Sequence, residues 1–394
     1  MTKYVISALC ALILRLGAYA QQNSMDKMLQ SIETNNPHLK AYSAFLQKQV
    51  LANKTANNLA DPQVSAFYLP FGEHRSSDYT EFQISQTVEF PSVYVARHQL
   101  NAEREEQLKV QFAKLRQEVL LKAKFLLVEL IYLQKQQKLS EKRLAQGNSI
   151  LKQTQTLFDK GQIGILELNK AKVAWLQNQF AVEEIETEMQ TIKKELQTLN
   201  GGSPLSYSVN GYTTSLKLPS VDSLWQQRLF SDAELLVQQK QQEVARQNVK
   251  LEKNKVLPAL TAGYNYQGVA GNNYSGLYAG LSIPLWGSRN KVKSAKAELE
   301  YQEIQAETVS SKLENEFRID FQRYELLLKK FREYQQSLEG LNSEPLLLKS
   351  YELGEISFLN YYREVQFYRT AIDKMLSIEK EMHQLQAELL KHQL

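Results

Sequence analysis

The sequence predicts a mainly α-helical fold with a small β part, built as a tandem repeat of helix, β-hairpin, long helix, turn and helix. No proline lies between Pro91 and Pro204, and that stretch is dominated by Leu, Lys, Glu, Gln and Ala, which favour helices. The runs that precede Pro91 and Pro284 alternate apolar and polar residues, as half-buried strands do. The same residue types also recur at two fixed offsets along the 394-residue chain.

The first long helix is expected over residues 93–160, a length of roughly 100 Å. Two neighbouring apolar rows run along it, so this helix needs partners on more than one side. The first row has the four-and-three spacing of a heptad seam and the second lies beside it: Val119, Ala123, Leu126, Leu130 and Leu133, then Leu120, Leu127 and Ile131. A coiled-coil rod is the alternative interpretation of this stretch taken alone.

Matched positions in the two halves of the chain indicate an internal repeat. Pro91 and Pro284 each follow an alternating run, are expected to open a long helix, and lie 193 residues apart. The same offset relates Gly147 to Gly340 and Gly161 to Gly354, while an offset of 196 relates Asn36 to Asp232 and Pro62 to Pro258. The difference between the offsets predicts a longer hairpin loop in the first half. We therefore predict a duplication, with repeats at residues 21–203 and 204–394.

Each repeat is predicted to contain one β-hairpin. Turn-rich residues at 72–78 and 271–273 join the strands. The first strand is expected around residues 64–69. In each of the other three strands, every second residue lies on one face, and polar or small residues stand between them. The residues of that face are, strand by strand, Thr80, Phe82, Ile84, Val88 and Phe90; Leu260, Ala262, Tyr264 and Tyr266; Leu277, Ala279, Leu281 and Ile283.

Strands of about ten residues with one apolar face and one polar or small face are typical of a transmembrane β-barrel. Aromatic residues near the strand ends would supply an interfacial girdle: Tyr68, Tyr79, Tyr274 and Trp286. An ordinary soluble sheet with one wet face fits the alternation equally well. Because four strands leave open edges, which lipid does not tolerate, several chains must share one barrel if the membrane interpretation holds. Three chains would supply twelve strands.

The N-terminus is predicted to be a signal peptide at residues 1–20. Lys3 precedes an apolar stretch, and Ala18-Tyr19-Ala20 fits the small-residue cleavage rule. Lipidation at Cys10 is the alternative, although Leu9 precedes it where a small residue is expected. Cys10 is the only cysteine, which excludes a disulfide framework and a cysteine-based zinc cluster. Interleaved charges with a net charge of +4 argue against nucleic acid as a partner.

Two turn motifs recur in the repeats: Phe158 with Gly161-Gln162-Ile163, and Tyr351 with Gly354-Glu355-Ile356. With these motifs and its duplicated repeats, the chain resembles the TolC-type outer-membrane efflux channels. Asn36-Pro37-His38-Leu39 and Leu257-Pro258-Ala259-Leu260 also fit the family's pattern. The resemblance covers essentially the whole mature chain. It implies a homotrimer with a shared 12-stranded barrel in the outer membrane, continuous with a periplasmic α-helical barrel.

The function implied by the resemblance is that of a passive exit duct in a tripartite efflux system. Its partners would be a periplasmic adaptor (membrane fusion) protein and an inner-membrane pump of the RND type, at the outer membrane of a Gram-negative cell. The same architecture could serve type I protein secretion instead. A periplasmic adaptor, or a coiled-coil structural protein, is a further alternative of a different class, but strands in both halves of a duplicated chain argue against it.

Two sets of residues are predicted to act in this function. Glycine at a helix C′ position tolerates the left-handed conformation that reverses the chain, so the two repeated glycine turns are expected to form adaptor-docking tips. The tip residues are Gly161, Ile163, Gly164 and Leu166 in the first repeat, and Gly354, Ile356, Ser357 and Leu359 in the second. The alternative is that these glycines only cap helices and bind no partner.

The second set is a candidate gate at the periplasmic entrance. In the family, the helix after the second tip can carry acidic residues that ring the closed entrance. The matching places here hold Asn360 and Arg363, and Glu167 occupies the corresponding place after the first tip. We predict that Glu167, Tyr351 and Arg363 make inter-helix contacts that hold the entrance shut. An outward, solvated Arg363 is the alternative.

No catalytic, cofactor-binding or metal-binding pattern is found in the sequence. It lacks H-E-x-x-H, the phosphate-binding G-x-x-x-x-G-K-[ST] and a G-x-G-x-x-G that opens a helix after a strand. The five histidines are scattered and are each expected to be solvated or to cap a helix: His38, His74, His98, His383 and His392. The sequence therefore predicts that the protein is not an enzyme.

Overall fold

A computed structural model describes residues 25–69, 79–207, 211–212, 215–269, 271–341 and 343–394. The predicted signal peptide at residues 1–20, Cys10, the first hairpin loop at residues 72–78 and His74 lie outside these ranges.

The order of elements confirms the predicted repeat. The first half contains helix α1 (residues 25–35), α2 (Pro37–Thr55), strands β1 (Gln63–Leu69) and β2 (Tyr79–Val88), α3 (Pro91–Asp159) and α4 (Ile165–Leu199). The second half contains α5 (Val221–Ser231), α6 (Ala233–Asn254), β3 (Ala259–Val269), β4 (Asn272–Ser282), α7 (Lys291–Leu338), α8 (Ser343–Glu352), α9 (Phe358–Leu389) and a 3-10 turn (Lys391–Gln393). The second half therefore repeats the helix–hairpin–helix order of the first.

Helix α3 runs without a break for 69 residues, as predicted. Both of its apolar rows are buried, with Leu126 alone of the eight residues left partly exposed. The prediction for Pro284 is wrong, because α7 begins at Lys291 and not at the proline. The intervening residues form turns, and Asn290 adopts a left-handed backbone at φ 62°. A left-handed residue cannot continue an α-helix, so α7 starts only after Asn290.

The four strands form one antiparallel sheet in the order β1-β2-β3-β4. The β2–β3 pairing, in which Phe82 lies opposite Tyr266, joins the hairpin of one repeat to the hairpin of the other. The register confirms the predicted alternation. Ile84, Tyr264 and Leu277 lie side by side on one face, while Gln83, Asn265 and Gly276 line the other.

The chain divides into two compact units. The described residues of the first unit lie within 25–40, 115–230 and 314–394, and those of the second lie within 41–114 and 231–313. The first unit has an aromatic core in which the rings of Trp225 and Phe317 lie 5.4 Å apart. The second unit holds the sheet and a small core of Val93, Ala96 and Leu100 from α3 with Leu251 from α6. Among the described helices, none is long and apolar enough to cross a membrane.

Candidate functional site

The first predicted tip is a tight turn that ends α3. Gly161 has φ 70°, its N–H donates to the carbonyl of Phe158 over 2.8 Å, and the N–H of Gln162 donates to Leu157 over 2.9 Å. These two bonds together form a Schellman C-cap, in which the left-handed residue is usually glycine. The predicted left-handed role of Gly161 is confirmed.

The second tip repeats this geometry at the end of α8. Gly354 has φ 77°, its N–H donates to Tyr351 over 3.0 Å, and the N–H of Glu355 donates to Ser350 over 2.9 Å. The helices that follow begin differently. The Ser357 hydroxyl accepts from the Asn360 N–H at the start of α9, whereas Gly164, at the start of α4, has no side chain with which to cap. The helix reversal is thus shared by the two repeats, but the cap that follows it is not.

A buried cluster lies beneath the two tips within the first unit. Ile150 and Ala171 of the first repeat pack with Tyr351, Phe358 and Tyr361 of the second. The Tyr351 hydroxyl lies 2.8 Å from the hydroxyl of Thr154, which is completely buried. Burial raises the pKa of Tyr351 above 10.0, the hydrogen bond with Thr154 acts in the opposite direction, and the negative charge of Glu167 adds a smaller increase. The helix pairs α3–α4 and α8–α9 are therefore held together by an apolar core that contains one pair of hydrogen-bonded hydroxyl groups.

The tips carry exposed apolar side chains among polar ones. Leu166 is 71% exposed, Leu359 is 53% exposed, and Ile163 and Ile356 are half-buried. Beside them, α4 and α9 enclose a groove of about 490 Å³, lined in part by Val173. Leu166 and Leu359 of the two predicted tips line this same groove, whereas Ile356 packs partly against the buried cluster. We call the predicted tip residues together the tip surface, and their role in docking stays a prediction: Gly161, Ile163, Gly164, Leu166, Gly354, Ile356, Ser357 and Leu359.

The predicted gate residues occupy three different environments. Tyr351 is a core residue, Glu167 is half-buried in the first turn of α4, and Asn360 is exposed on α9. The Arg363 side chain is 72% exposed, and its ion pair among the described residues is with Glu364 of the same helix. The Tyr351 hydroxyl pairs with Thr154 and Arg363 pairs with Glu364, so the inter-helix contacts of the gate stay a prediction.

The sheet has one polar face that is tied together by side chains. Tyr79 donates to Glu81 over 2.6 Å, Asn265 donates to the other carboxylate oxygen over 2.9 Å, and Gln83 donates to Tyr278. Gly263 makes room for this network, because a Cβ atom there would lie 2.5 Å from the Tyr278 ring. A glycine covered by a neighbouring aromatic ring is a known device for pinning strand register.

The opposite face of the sheet is apolar and open. Leu277 is 88% exposed, Leu281 is 65% exposed and Val64 is 62% exposed. The predicted aromatic girdle is wrong for two of its members, because the register places Tyr79 and Tyr274 on the polar face. The assignment failed because nearness to a strand end does not determine the face, whereas odd or even position along the strand does. Tyr68 does lie on the apolar face.

A buried polar cluster in the first unit was not predicted from the sequence. His383, expected to be solvated, is 6% exposed and stacks on Tyr212 with ring centroids 4.0 Å apart. Burial lowers its pKa from 6.5 to about 4, and the positive charges of Lys135 and Lys124 act in the same direction. Burial also lowers the pKa of Lys124. His392 is buried as well, whereas His98 is exposed as predicted.

The signal for this burial was present in the helical spacing. Arg369, Leu376 and His383 are each seven residues apart in α9 and are all buried, so His383 lies on the inward seam of its helix.

Across the part of the chain that the structure describes, no group of three or more His, Cys, Asp or Glu side chains could hold a metal ion.

No protein-family model matches the chain, and no curated protein does. Solved structures do match it. The outer-membrane channel OprN superposes with a TM-score of 0.79 at 13% identity, covering 94% of this chain and 89% of OprN. CusC, a protein whose transmembrane channel formation has been described, superposes with a TM-score of 0.77 at 14% identity. The match covers 94% of this chain and 92% of CusC. The outer membrane protein VceC of Vibrio cholerae gives 0.75 at 14% identity, covering 94% and 97%.

The chain therefore has the fold of outer-membrane channels. The predicted fold class and, at the level of the fold, the resemblance to TolC-type channels are confirmed.

Proposed function

We propose that this protein is the outer-membrane channel of a tripartite efflux system and acts as a passive exit duct. One observation carries the proposal. The sheet presents an open apolar face, including Leu277 and Leu281, in a chain that otherwise has the fold of outer-membrane channels. Such a face fits a lipid environment, because large exposed apolar surfaces mark contact with a membrane or a partner.

The sheet supports assembly from several chains. In the order β1-β2-β3-β4, strands β1 and β4 each have one paired side within the described chain. Backbone groups on open edges are costly in hydrocarbon, so a membrane-embedded sheet must close with strands from other copies. Three copies give a 12-stranded barrel, which is the homotrimer that the resemblance implies.

The tip surface is proposed to dock a periplasmic adaptor protein, which links the channel to an inner-membrane pump of the RND type. Its exposed leucines at two equivalent turns, Leu166 and Leu359, suit apolar tip-to-tip contact. The candidate gate of Glu167, Tyr351, Asn360 and Arg363 is proposed to close this end by contacts between chains.

Efflux in cells tests the proposal. A strain that lacks its outer-membrane channel, and carries the cognate adaptor and pump, should regain efflux when this protein is supplied. Gly164→Arg should abolish that gain and the crosslink to the adaptor, because it places a long charged side chain on the tip surface. Protein level in the outer membrane should stay unchanged.

Thr187→Arg is the matched control, since it adds the same charge at an exposed position further along α4. It should leave efflux intact. Undiminished crosslinking in Gly164→Arg would remove the tips as the docking surface, and failure of the wild type to restore efflux would contradict the proposed function.

A further inference from the structure

A single formal charge lies in the sheet. Across the four strands the structure describes, Glu81 is the one Asp, Glu, Lys, Arg or His residue. It lies on the polar face, opposite Phe67 of β1 and Gln267 of β3, and is half-buried. The carboxylate therefore stands alone among hydroxyl, amide and aromatic groups on a face that is otherwise neutral.

The groups that hold Glu81 do not neutralise it. Tyr79 donates to one carboxylate oxygen over 2.6 Å and Asn265 donates to the other over 2.9 Å. Both donors are uncharged. Several other carboxylates of the same unit have cationic partners, such as Glu103 with Lys240 over 3.0 Å. Glu81 is thus fixed in position by two hydrogen bonds and keeps its full negative charge.

We propose that Glu81 makes the barrel section of the channel selective for cations over anions. The inference rests on the proposed function, because it takes the polar face of the sheet as the lining of the lumen. Each chain of a symmetric assembly places one Glu81 at the same level, which makes a ring of carboxylates. A ring of one charge inside a low-dielectric wall concentrates counter-ions, and rings of Asp or Glu are how many cation channels select. The favoured solutes are therefore cations and molecules with an exposed positive group.

Reversal potentials across a planar lipid bilayer under a KCl gradient test the assignment. Wild-type channels should prefer K⁺ over Cl⁻, and Glu81→Gln should lower the permeability ratio several-fold toward one. The amide keeps one oxygen that can accept from Asn265 and gains an NH2 group that can donate to the Tyr79 hydroxyl, so the sheet should still form. The preference should weaken in 1 M salt, where the screening length falls to about 3 Å from about 10 Å at 0.1 M.

Two variants separate charge from structure. Tyr79→Phe removes one hydrogen bond to Glu81 but no charge, so it should keep the cation preference even if the barrel loses stability. Glu105→Gln makes the same chemical change at a carboxylate that is paired with Lys109 on α3, and it should leave selectivity unchanged. Each measurement is repeated with Arg363→Ala, so that a gate at the tips does not hide selectivity in the barrel.

The outcomes distinguish the role of Glu81 from the channel function itself. Currents with equal selectivity in the wild type and Glu81→Gln, or an equal shift in Glu105→Gln, would overturn the role of Glu81 and leave the channel function standing. The absence of any current from the wild-type protein would overturn the proposed function, and with it this inference.

Discussion

The two repeats share their order of elements but differ in the continuity of the long helix. In the first repeat α3 passes Gly147 without a break, whereas in the second repeat the helix ends at Leu338 and resumes as α8 at Ser343. Gly340, the counterpart of Gly147, has φ 78° and open space around it. Glycine at this repeat position therefore has a different role in each repeat.

Packing explains the glycine of the first repeat. A Cβ atom at Gly147 would lie 3.0 Å from the side-chain nitrogen of Asn178 on α4, so the glycine permits a close approach of α3 and α4. A proline explains the break in the second repeat. Pro345 lacks an N–H, and its ring clashes with the carbonyl four residues earlier, so it strongly disfavours a continuous helix through Leu341. The corresponding residue of the first repeat is Lys152.

Transferring the break to the first repeat should have the largest effect. Lys152→Pro places the proline of the second repeat at the matching, exposed position of α3, and it should destabilise the protein by about 3 kcal/mol or more. Lys152→Ala is the control and should be nearly neutral. Thermal melting followed by circular dichroism checks both. Equal melting temperatures would show that α3 tolerates the break and that the continuity of the first repeat has no energetic importance.

The two faces of the sheet should respond differently to charge. Leu281→Lys on the apolar face should impair membrane insertion, by about 2–4 kcal/mol for a lysine near the bilayer midplane. Ser282→Lys, one residue along β4 and on the polar face, should insert and change conductance instead. Outer-membrane yield and single-channel recording measure the two effects. An equal loss of insertion in both variants would mean that the faces are wrongly assigned.

Acid should weaken the first unit through His383. Its pKa in the folded chain is about 4, below its ordinary value of 6.5, so the unfolded chain binds a proton more readily. The stabilisation is complete above pH 6.5 and is lost as the pH falls toward 4, by about 2 kcal/mol at pH 5. His383→Phe keeps a ring against Tyr212 without titrating, so its stability should fall less between pH 7.5 and pH 5.

Thermal melting at the two pH values measures this loss. His98→Phe is the control, because His98 is exposed and its replacement should leave the acid sensitivity unchanged. An identical pH dependence in the wild type and His383→Phe would exclude His383 as the source.

The smallest expected effect compares the tips. Gly161→Ala and Gly354→Ala should each cost about 1 kcal/mol, because each glycine is left-handed. Gly164→Ala should cost almost nothing, since Gly164 has φ −85° and an added methyl group would meet no atom within 4 Å. Unequal costs at Gly161 and Gly354, measured by thermal melting, would show that the two tips are not energetically equivalent.

Local patterns predicted much of this structure. The bounds of α3, the three clear strands and the left-handed glycines at 161 and 354 all follow from helical spacing, alternation and turn chemistry. The pairing of β2 with β3 did not follow, because it joins residues far apart in sequence, such as Phe82 and Tyr266, and no local signal specifies that contact. Such long-range pairings depend on the whole topology.

Two features that were not predicted do have a local signal in the sequence. Pro345 predicts the break between α7 and α8, and the seven-residue spacing from Leu376 predicts the burial of His383. Both glycine turns of the tips have the expected left-handed geometry, and their role in docking stays a prediction. The inter-helix contacts of the gate stay a prediction.

The mass of the detergent-extracted protein tests the central claim most directly. If four strands per chain close a shared barrel, light scattering corrected for bound detergent should give three copies of the chain. The sheet alone has two edges to satisfy, so a folded monomer should not be present. A well-folded monomer with the native helix content would contradict the shared barrel, and with it the account of this protein as a membrane channel.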